Sequence, residues 1–441
     1  MMSGSAERLN TTLKQISPVV FSLLSKRGKE AFFPHAGILG QTAEAKGKKF
    51  NATIGIALEE DGSPMRLACL TENIPLPPEE AFPYASSFGK KELRECWQAM
   101  IREKNPSLQT RISLPIVTAA LTHGLSVAGY LFLDEDDTVL VTDKFWGNYK
   151  LTFTQQFGAG LALFPTFAGN GLDIASMRKL LLQGPPGKKV LLLNFPNNPA
   201  GYTPTVQEAK DILDALRESA EAGNRIVALI DDAYFGLVYE EGILKESLFA
   251  GIADLHENIL AVKIDGPTKE DYVWGMRVGF LTYATKGMQK ETAEILEEKT
   301  AGAVRATISN APHISQSLLL RAYESKDYKA QKEEKYLLLQ RRYHEVQRCL
   351  KNPNFAAYFS PLPYNSGYFL CVKLKNNLDG ETVRKLLLEE FDTGLIAIGN
   401  LLRIAYSSLP TAHIAPLFQN LFHACVTLSK KPALSLSPSS V

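Results

Sequence analysis

The chain has 441 residues, 45% of them hydrophobic, with 48 Lys and Arg against 47 Asp and Glu. That length provides for two or three domain-sized units and excludes a disordered chain. The near-neutral balance excludes a nucleic-acid binder that works through a broad basic footprint, and a polybasic membrane-surface protein.

In chain order, residues 1–30 read as a helical N-terminal arm. Its start, MMSGSAERLNTTLKQ, lacks a basic head followed by an apolar run, so no signal peptide is predicted. No stretch approaches the roughly 18 apolar residues of a membrane span. The five cysteines are sparse and form no C-x-x-C pair, which fits a reducing compartment and argues against a zinc ribbon. No H-x-x-x-H pair occurs, so no metal site is expected. The reading is a soluble, cytoplasmic protein.

The middle of the chain alternates apolar runs and amphipathic stretches. VLLLNF at 190–195 is a strand ended by Pro196. Residues 205–222 read as a helix, with Thr205 and Glu208 forming a capping box and Gly223 stopping it. RIVALI at 225–230, NILAVKI at 258–264 and RVGFLTY at 277–283 are further strands. Continuous apolar strands separated by helices predict a parallel sheet covered on both faces. Residues 315–350 read as one long charged helix, with the KEEK run at 332–335 as a solvated face. GYFLCVKL and LLRIAYSS then suggest a smaller α+β domain, and the Ser- and Pro-rich segment 431–441 a flexible tail.

Open parallel sheets build their sites at the carboxyl ends of the strands. There the chain places Asn197 and Asn198, then Asp231, Asp232 and Tyr234, then Thr268 and Lys269, with Arg277 opening the next strand. This set suits pyridoxal 5'-phosphate. The aldehyde needs a lysine to join it covalently. The pyridine nitrogen needs a carboxylate, the ring oxygen needs donors such as a phenol and an amide, and the phosphate needs an arginine and backbone N–H groups. Asp232 reads instead as a turn cap after its strand. His123 divides evenly between a structural and a functional role.

The N-N-P-x-G, D-x-A-Y and K-x7-R elements at 197–201, 231–234 and 269–277 resemble those of the class I/II aminotransferases, pyridoxal phosphate enzymes of fold type I, and within them the aspartate and aromatic group. The resemblance implies an α/β fold: a large domain (71–330) with a mostly parallel seven-stranded sheet, and a small α+β domain built from both chain ends (31–70 and 331–430). It also implies a homodimer with shared active sites. By the same resemblance Lys269, Asp231 and Tyr234 are catalytic. Gly124, Leu125 and Ser126 hold the phosphate with Arg277 and Thr268, and Tyr84 reaches the phosphate of the other subunit. Trp146 stacks on the ring and Asn198 touches its oxygen. Arg403 grips the substrate α-carboxylate and Gly55 lies in a mobile segment over substrate. Arg305, in R-x3-S-N-x-P, meets a side-chain carboxylate. The implied reaction moves an amino group between aspartate, glutamate or an aromatic amino acid and a 2-oxo acid by a ping-pong mechanism. The alternatives are a β-eliminating lyase on the same site and a non-catalytic regulator. Gly266 stands where many members of the family carry serine, three residues before the lysine, and Trp274 is unusually bulky for its place.

Overall fold

The computed structural model describes residues 4–34 and 37–430; the expected flexible tail lies outside the described residues. The chain divides into two compact units. The first comprises Met1–Pro34, Met65–Tyr336 and Asn365–Gly367, and the second His35–Pro64, Leu337–Tyr364 and Tyr368–Val441. Residues 31–34, 65–70, 331–336 and 365–367, expected in the small domain, thus fall in the first unit.

The first unit is built on seven strands: β1 (Ile116–Thr118), β2 (Thr138–Thr142), β3 (Gly160–Phe164), β4 (Lys188–Asn194), β5 (Arg225–Asp231), β6 (Ile259–Asp265) and β7 (Gly279–Ala284). Their spatial order is β1-β7-β6-β5-β4-β2-β3. β7 runs antiparallel to β1 and β6, while the other pairings are parallel. The sheet is therefore mostly parallel, as expected. Its central strands are buried along nearly their whole length, which is why they read as unbroken apolar runs rather than alternating ones. β1, β2 and β3 are short, at three, five and five residues, and too brief to stand out as apolar runs.

The helix Val206–Glu221 has its capping box: Glu208 N–H donates to Thr205 Oγ1 at 3.1 Å, and Thr205 N–H to Glu208 Oε2 at 2.8 Å. Such a cap is worth about 1 kcal/mol. Gly223 follows at φ +91°, a conformation costly for residues with a Cβ. The N-terminal arm is helical, as expected. It is three short helices, Gly4–Ile16, Pro18–Leu23 and Lys26–Glu30, the first break falling at Pro18, which lacks the N–H a continuous helix needs. The single helix 315–350 is two, His313–Glu324 and Tyr328–Leu350. Between them Ser325 is extended, its hydroxyl accepting from Asp327 N–H at 3.3 Å and its carbonyl from Tyr328 N–H at 3.2 Å. Local side-chain bonds of this kind compete with the helical ladder.

The second unit holds an antiparallel sheet of β8 (Phe359–Pro361), β9 (Phe369–Leu374), β10 (Ile396–Ile398) and β11 (Leu401–Ala405), in the order β8-β9-β11-β10. Helices Gly380–Glu390 and Thr411–Lys430 accompany it. Phe50–Asn51 pairs with Thr393–Gly394, so sequence from both halves of the chain builds this unit. Among the described residues no helix is long and apolar enough to cross a membrane.

Candidate active site

The strand ends of β4 and β5 are held in register, Asn194 opposite Asp231. Asn194 Nδ2 donates to the Asp231 carbonyl at 3.0 Å, and its Oδ1 accepts from Asn198 N–H at 3.0 Å. One buried amide therefore ties the asparagine loop to the aspartate. Asp231 is 3% exposed. Its Oδ2 accepts from Tyr149 Oη at 2.5 Å and its Oδ1 from Ala233 N–H at 3.1 Å. Burial pushes this carboxyl up from its ordinary range, opposed by the Tyr149 hydrogen bond and the charge of Lys269. Tyr234 is also buried, with Asn198 Nδ2 3.5 Å from its hydroxyl.

Lys269 lies on the helical turn Pro267–Glu270 that follows β6, its Nζ 5.0 Å over the Tyr234 ring. Desolvation lowers this amine to about 8, against the opposing pull of Asp231 and with help from Arg277. At pH 7 about one molecule in eleven then carries a neutral amine, against roughly one in 3,000 for an ordinary lysine. The arrangement provides a proton acceptor in the field of a buried carboxylate.

Beside Lys269 the backbone comes very close. A Cβ on Gly266 would sit 2.9 Å from both Gly279 Cα and the Val278 carbonyl oxygen, and one on Gly279 would sit 2.7 Å from the carbonyl carbon of Ala120. The turn thus abuts the start of the helix Ala120–Phe132. The missing serine has this physical reason: no side chain fits at 266. Gly266→Ser is expected to destabilise the fold by about 1–3 kcal/mol, read as a lowered denaturation midpoint; an unchanged midpoint would refute the close packing. Thr268 Oγ1 is buried and has no hydrogen-bond partner, a group that a bound anion would satisfy.

The phosphate candidates on this helix lie within it rather than at its start. Gly124, Leu125 and Ser126 lie beyond its first turn, where N–H groups are already committed to the helical ladder, and Ser126 Oγ donates to Gln156 at 2.8 Å. The N–H groups left open by helix geometry are those of Ala120, Leu121 and Thr122; that of Ala119 donates to His123 Nδ1 at 3.1 Å. Ala120 itself is at φ +64°.

The family model described as aminotransferase class I and II matches residues 73–421. The chain belongs to that family. Among curated proteins it is similar to the mitochondrial aspartate aminotransferase of Schizosaccharomyces pombe, 29% identical over 40% of this chain and 38% of that protein. It is also similar to the cytoplasmic aspartate aminotransferase of Saccharomyces cerevisiae, 24% identical over 49% and 52%. The matched stretch thus spans about half or less of these relatives' length. Among solved structures, an aminotransferase from Anaerococcus prevotii covers 91% of this chain and 99% of its own, with a TM-score of 0.79 at 21% identity, a likeness of fold.

The remaining candidates of this aminotransferase-family chain are placed as follows. Trp146 is half-buried and stands edge-on to Tyr149, ring centroids 5.7 Å apart. Arg277 is exposed at φ +53°, its Nη1 donating to the Trp274 carbonyl at 3.1 Å. Tyr84 is 92% exposed, on the rim of an open cleft of about 1070 Å³. Arg305 is exposed on the helix Lys290–Ile308. Two residues on, Thr307 Oγ1 lies 2.9 Å from His123 Nε2, so His123 joins the two helices; burial lowers its pKa. In the second unit Arg403, on β11, is buried with its guanidinium 4.4 Å over the Phe369 ring. Its Nη2 donates to the Thr53 carbonyl at 2.8 Å, two residues before Gly55.

Sequence reasoning missed Tyr149, although it stands three residues after Trp146 in the same W-G-N-Y segment, and it missed the orienting Asn194. Asp232 is no turn cap: it is buried in an ion pair with Lys263 and accepts from Ser247 Oγ at 2.6 Å. In the KEEK run Glu333 and Glu334 are exposed, as expected, but Lys332 is half-buried and pairs with Glu270 and Asp271. A buried carboxylate, a lowered amine, the unsatisfied Thr268 hydroxyl and the open helix terminus together fit pyridoxal 5'-phosphate.

Proposed function

We propose that this chain is a pyridoxal-phosphate-dependent aminotransferase that moves an amino group between an amino acid and a 2-oxo acid in two half-reactions. The observation that carries the reading is the desolvated Lys269 amine, over the Tyr234 ring and in the field of buried Asp231. When bound, the cofactor supplies an electron sink for negative charge at the substrate α-carbon. Lys269 would hold the cofactor's aldehyde and, as a neutral amine, would move the substrate α-proton. Asp231, aligned by Tyr149, keeps a proton on the ring nitrogen. Tyr234 and Asn198 donate to the ring oxygen, and Trp146 covers one ring face. Thr268, Arg277 and the first-turn N–H groups hold the phosphate. Arg403 receives the α-carboxylate, with Gly55 in the segment beside it.

The working unit in this reading is a homodimer, in which Tyr84 reaches the cofactor phosphate of a second copy. Its near-complete exposure in one chain supports this. Purified protein is expected to take up the cofactor and show its visible absorption; protein that never takes it up would sink the reading.

Arg305 supports aspartate or glutamate as donor, as do the two yeast relatives named as aspartate aminotransferases. Trp146 supports aromatic donors as well. In a panel of donors with 2-oxoglutarate, Arg305→Ala should lower kcat/KM for dicarboxylic donors by about 100-fold, the value of a charge-assisted bidentate grip. Aromatic donors should change little. Equal losses across the panel would remove the dicarboxylate argument.

A further inference from the structure

Behind Lys269 lies a set of buried charges that the transfer chemistry above does not use. Glu270 and Asp271 directly follow the lysine and are 4% and 0% exposed. Glu270 accepts from Lys104 Nζ at 2.9 and 3.2 Å and from Lys332 Nζ at 2.6 Å. Asp271 accepts from the hydroxyls of Tyr323 at 3.0 Å and Tyr328 at 2.7 Å, and lies 3.1 Å from Lys332 Nζ. These partners come from three helices, Lys91–Lys104, His313–Glu324 and Tyr328–Leu350.

A second branch reaches the tyrosine loop. Lys104 Nζ lies 4.4 Å over the Trp97 ring and 5.4 Å over the ring of Phe235, the residue after Tyr234. Lys263 Nζ lies 4.9 Å over the same Phe235 ring and pairs with Asp232 and Asp265. Asp265 in turn accepts from Trp97 Nε1 at 3.1 Å.

Buried ion pairs are costly to desolvate and are a poor source of stability. They do impose register, because displacing one member strands the other as an unpaired buried charge. We propose that this cluster is a positioning device: Lys104, Lys332, Tyr323 and Tyr328 clamp Glu270 and Asp271, which holds the Lys269 amine over the Tyr234 ring. The Lys104–Phe235–Lys263 contacts hold the tyrosine loop against the same frame. The inference rests on Lys269 being the catalytic amine.

The largest charge effects at Lys269 are those of Asp231, which raises its pKa, and of Arg277, which lowers it, with the Tyr234 ring beneath the amine. Removing the Glu270 charge could by itself only lower the lysine pKa, so a rise reports that the turn has moved and the amine has met water. The test is acetylation of Lys269 in cofactor-free protein across pH 6–10 with acetic anhydride, read by peptide mass. The wild-type midpoint should lie near pH 8. In Glu270→Gln it should rise by about one unit toward the ordinary lysine value, so that labelling at pH 8 falls about fivefold. In holoenzyme, kcat should fall while donor KM stays within about twofold, the pattern for a contact that acts in the transition state. Lys332→Arg should retain the wild-type profile. If Glu270→Gln does not fold, Tyr328→Phe removes one hydroxyl and should shift the midpoint in the same direction. A lowered melting temperature with an unchanged Lys269 profile would overturn the proposal. An ordinary wild-type profile, with cofactor still held covalently by Lys269→Ala, would instead overturn the assignment of Lys269 itself.

Discussion

Replacing Lys269 with alanine is expected to cut amino-group transfer by at least about 10⁴-fold, the upper end of what one positioned general acid–base supplies. The lysine has two tasks in the proposed reaction, attachment and proton transfer, and no neighbour can take over either. Tyr234 lies under the amine but is a poor base, and the Asp231 carboxylate is committed to Tyr149 and Ala233. The measurement is the first half-reaction under single turnover, together with the mass of the borohydride-reduced protein. Wild type should carry the cofactor mass on the peptide containing Lys269, and the variant should carry none. Retained attachment at another lysine would refute the assignment.

Asp231→Asn should lower kcat by about 10²–10³-fold, as for loss of one preorganised electrostatic partner. Asparagine keeps the shape and can still accept from Tyr149, but it cannot carry the negative charge that holds a proton on the ring nitrogen. Cofactor should remain attached through Lys269, so the loss is to be read in the proton-transfer step. A fall of less than about tenfold would show that the ring nitrogen does not depend on this carboxylate. Stability offers an independent check. Burial raises the Asp231 carboxyl. Folding therefore disfavours its charge: the penalty is absent below the unfolded-state pKa and grows as pH rises toward the folded value. Cofactor-free Asp231→Asn is accordingly expected to melt no lower than wild type at pH 8, and a clear drop there would contradict the burial argument.

The strands that carry Asn194, Asp231 and Asp265 were legible because a strand buried on both faces must be apolar throughout. The chemistry-bearing loops were legible because they follow those strands. Strands of three to five residues left too little pattern to find. The helix 315–350 broke at Ser325 because a few local hydrogen bonds outweigh helical propensity there. The first turn of the helix Ala120–Phe132 was not legible, because residue types alone do not show at which residue a helix begins. The buried charges were misread for a similar reason. Lys332 and Asp232 look like surface residues until partners from distant parts of the chain, Glu270 and Lys263, are brought beside them.

By itself, then, the sequence determined the near-neutral charge, the parallel α/β architecture and the order of the lysine, carboxylate, phenol and asparagine along it, since all three follow from composition, periodicity and spacing. Only the tertiary structure decided that Tyr149 aligns Asp231, that Gly266 leaves no room for serine, and that the Lys269 turn stands on a frame of buried ion pairs. Those features depend on desolvation and on contacts between residues far apart in the chain, and neither quantity is written in local sequence.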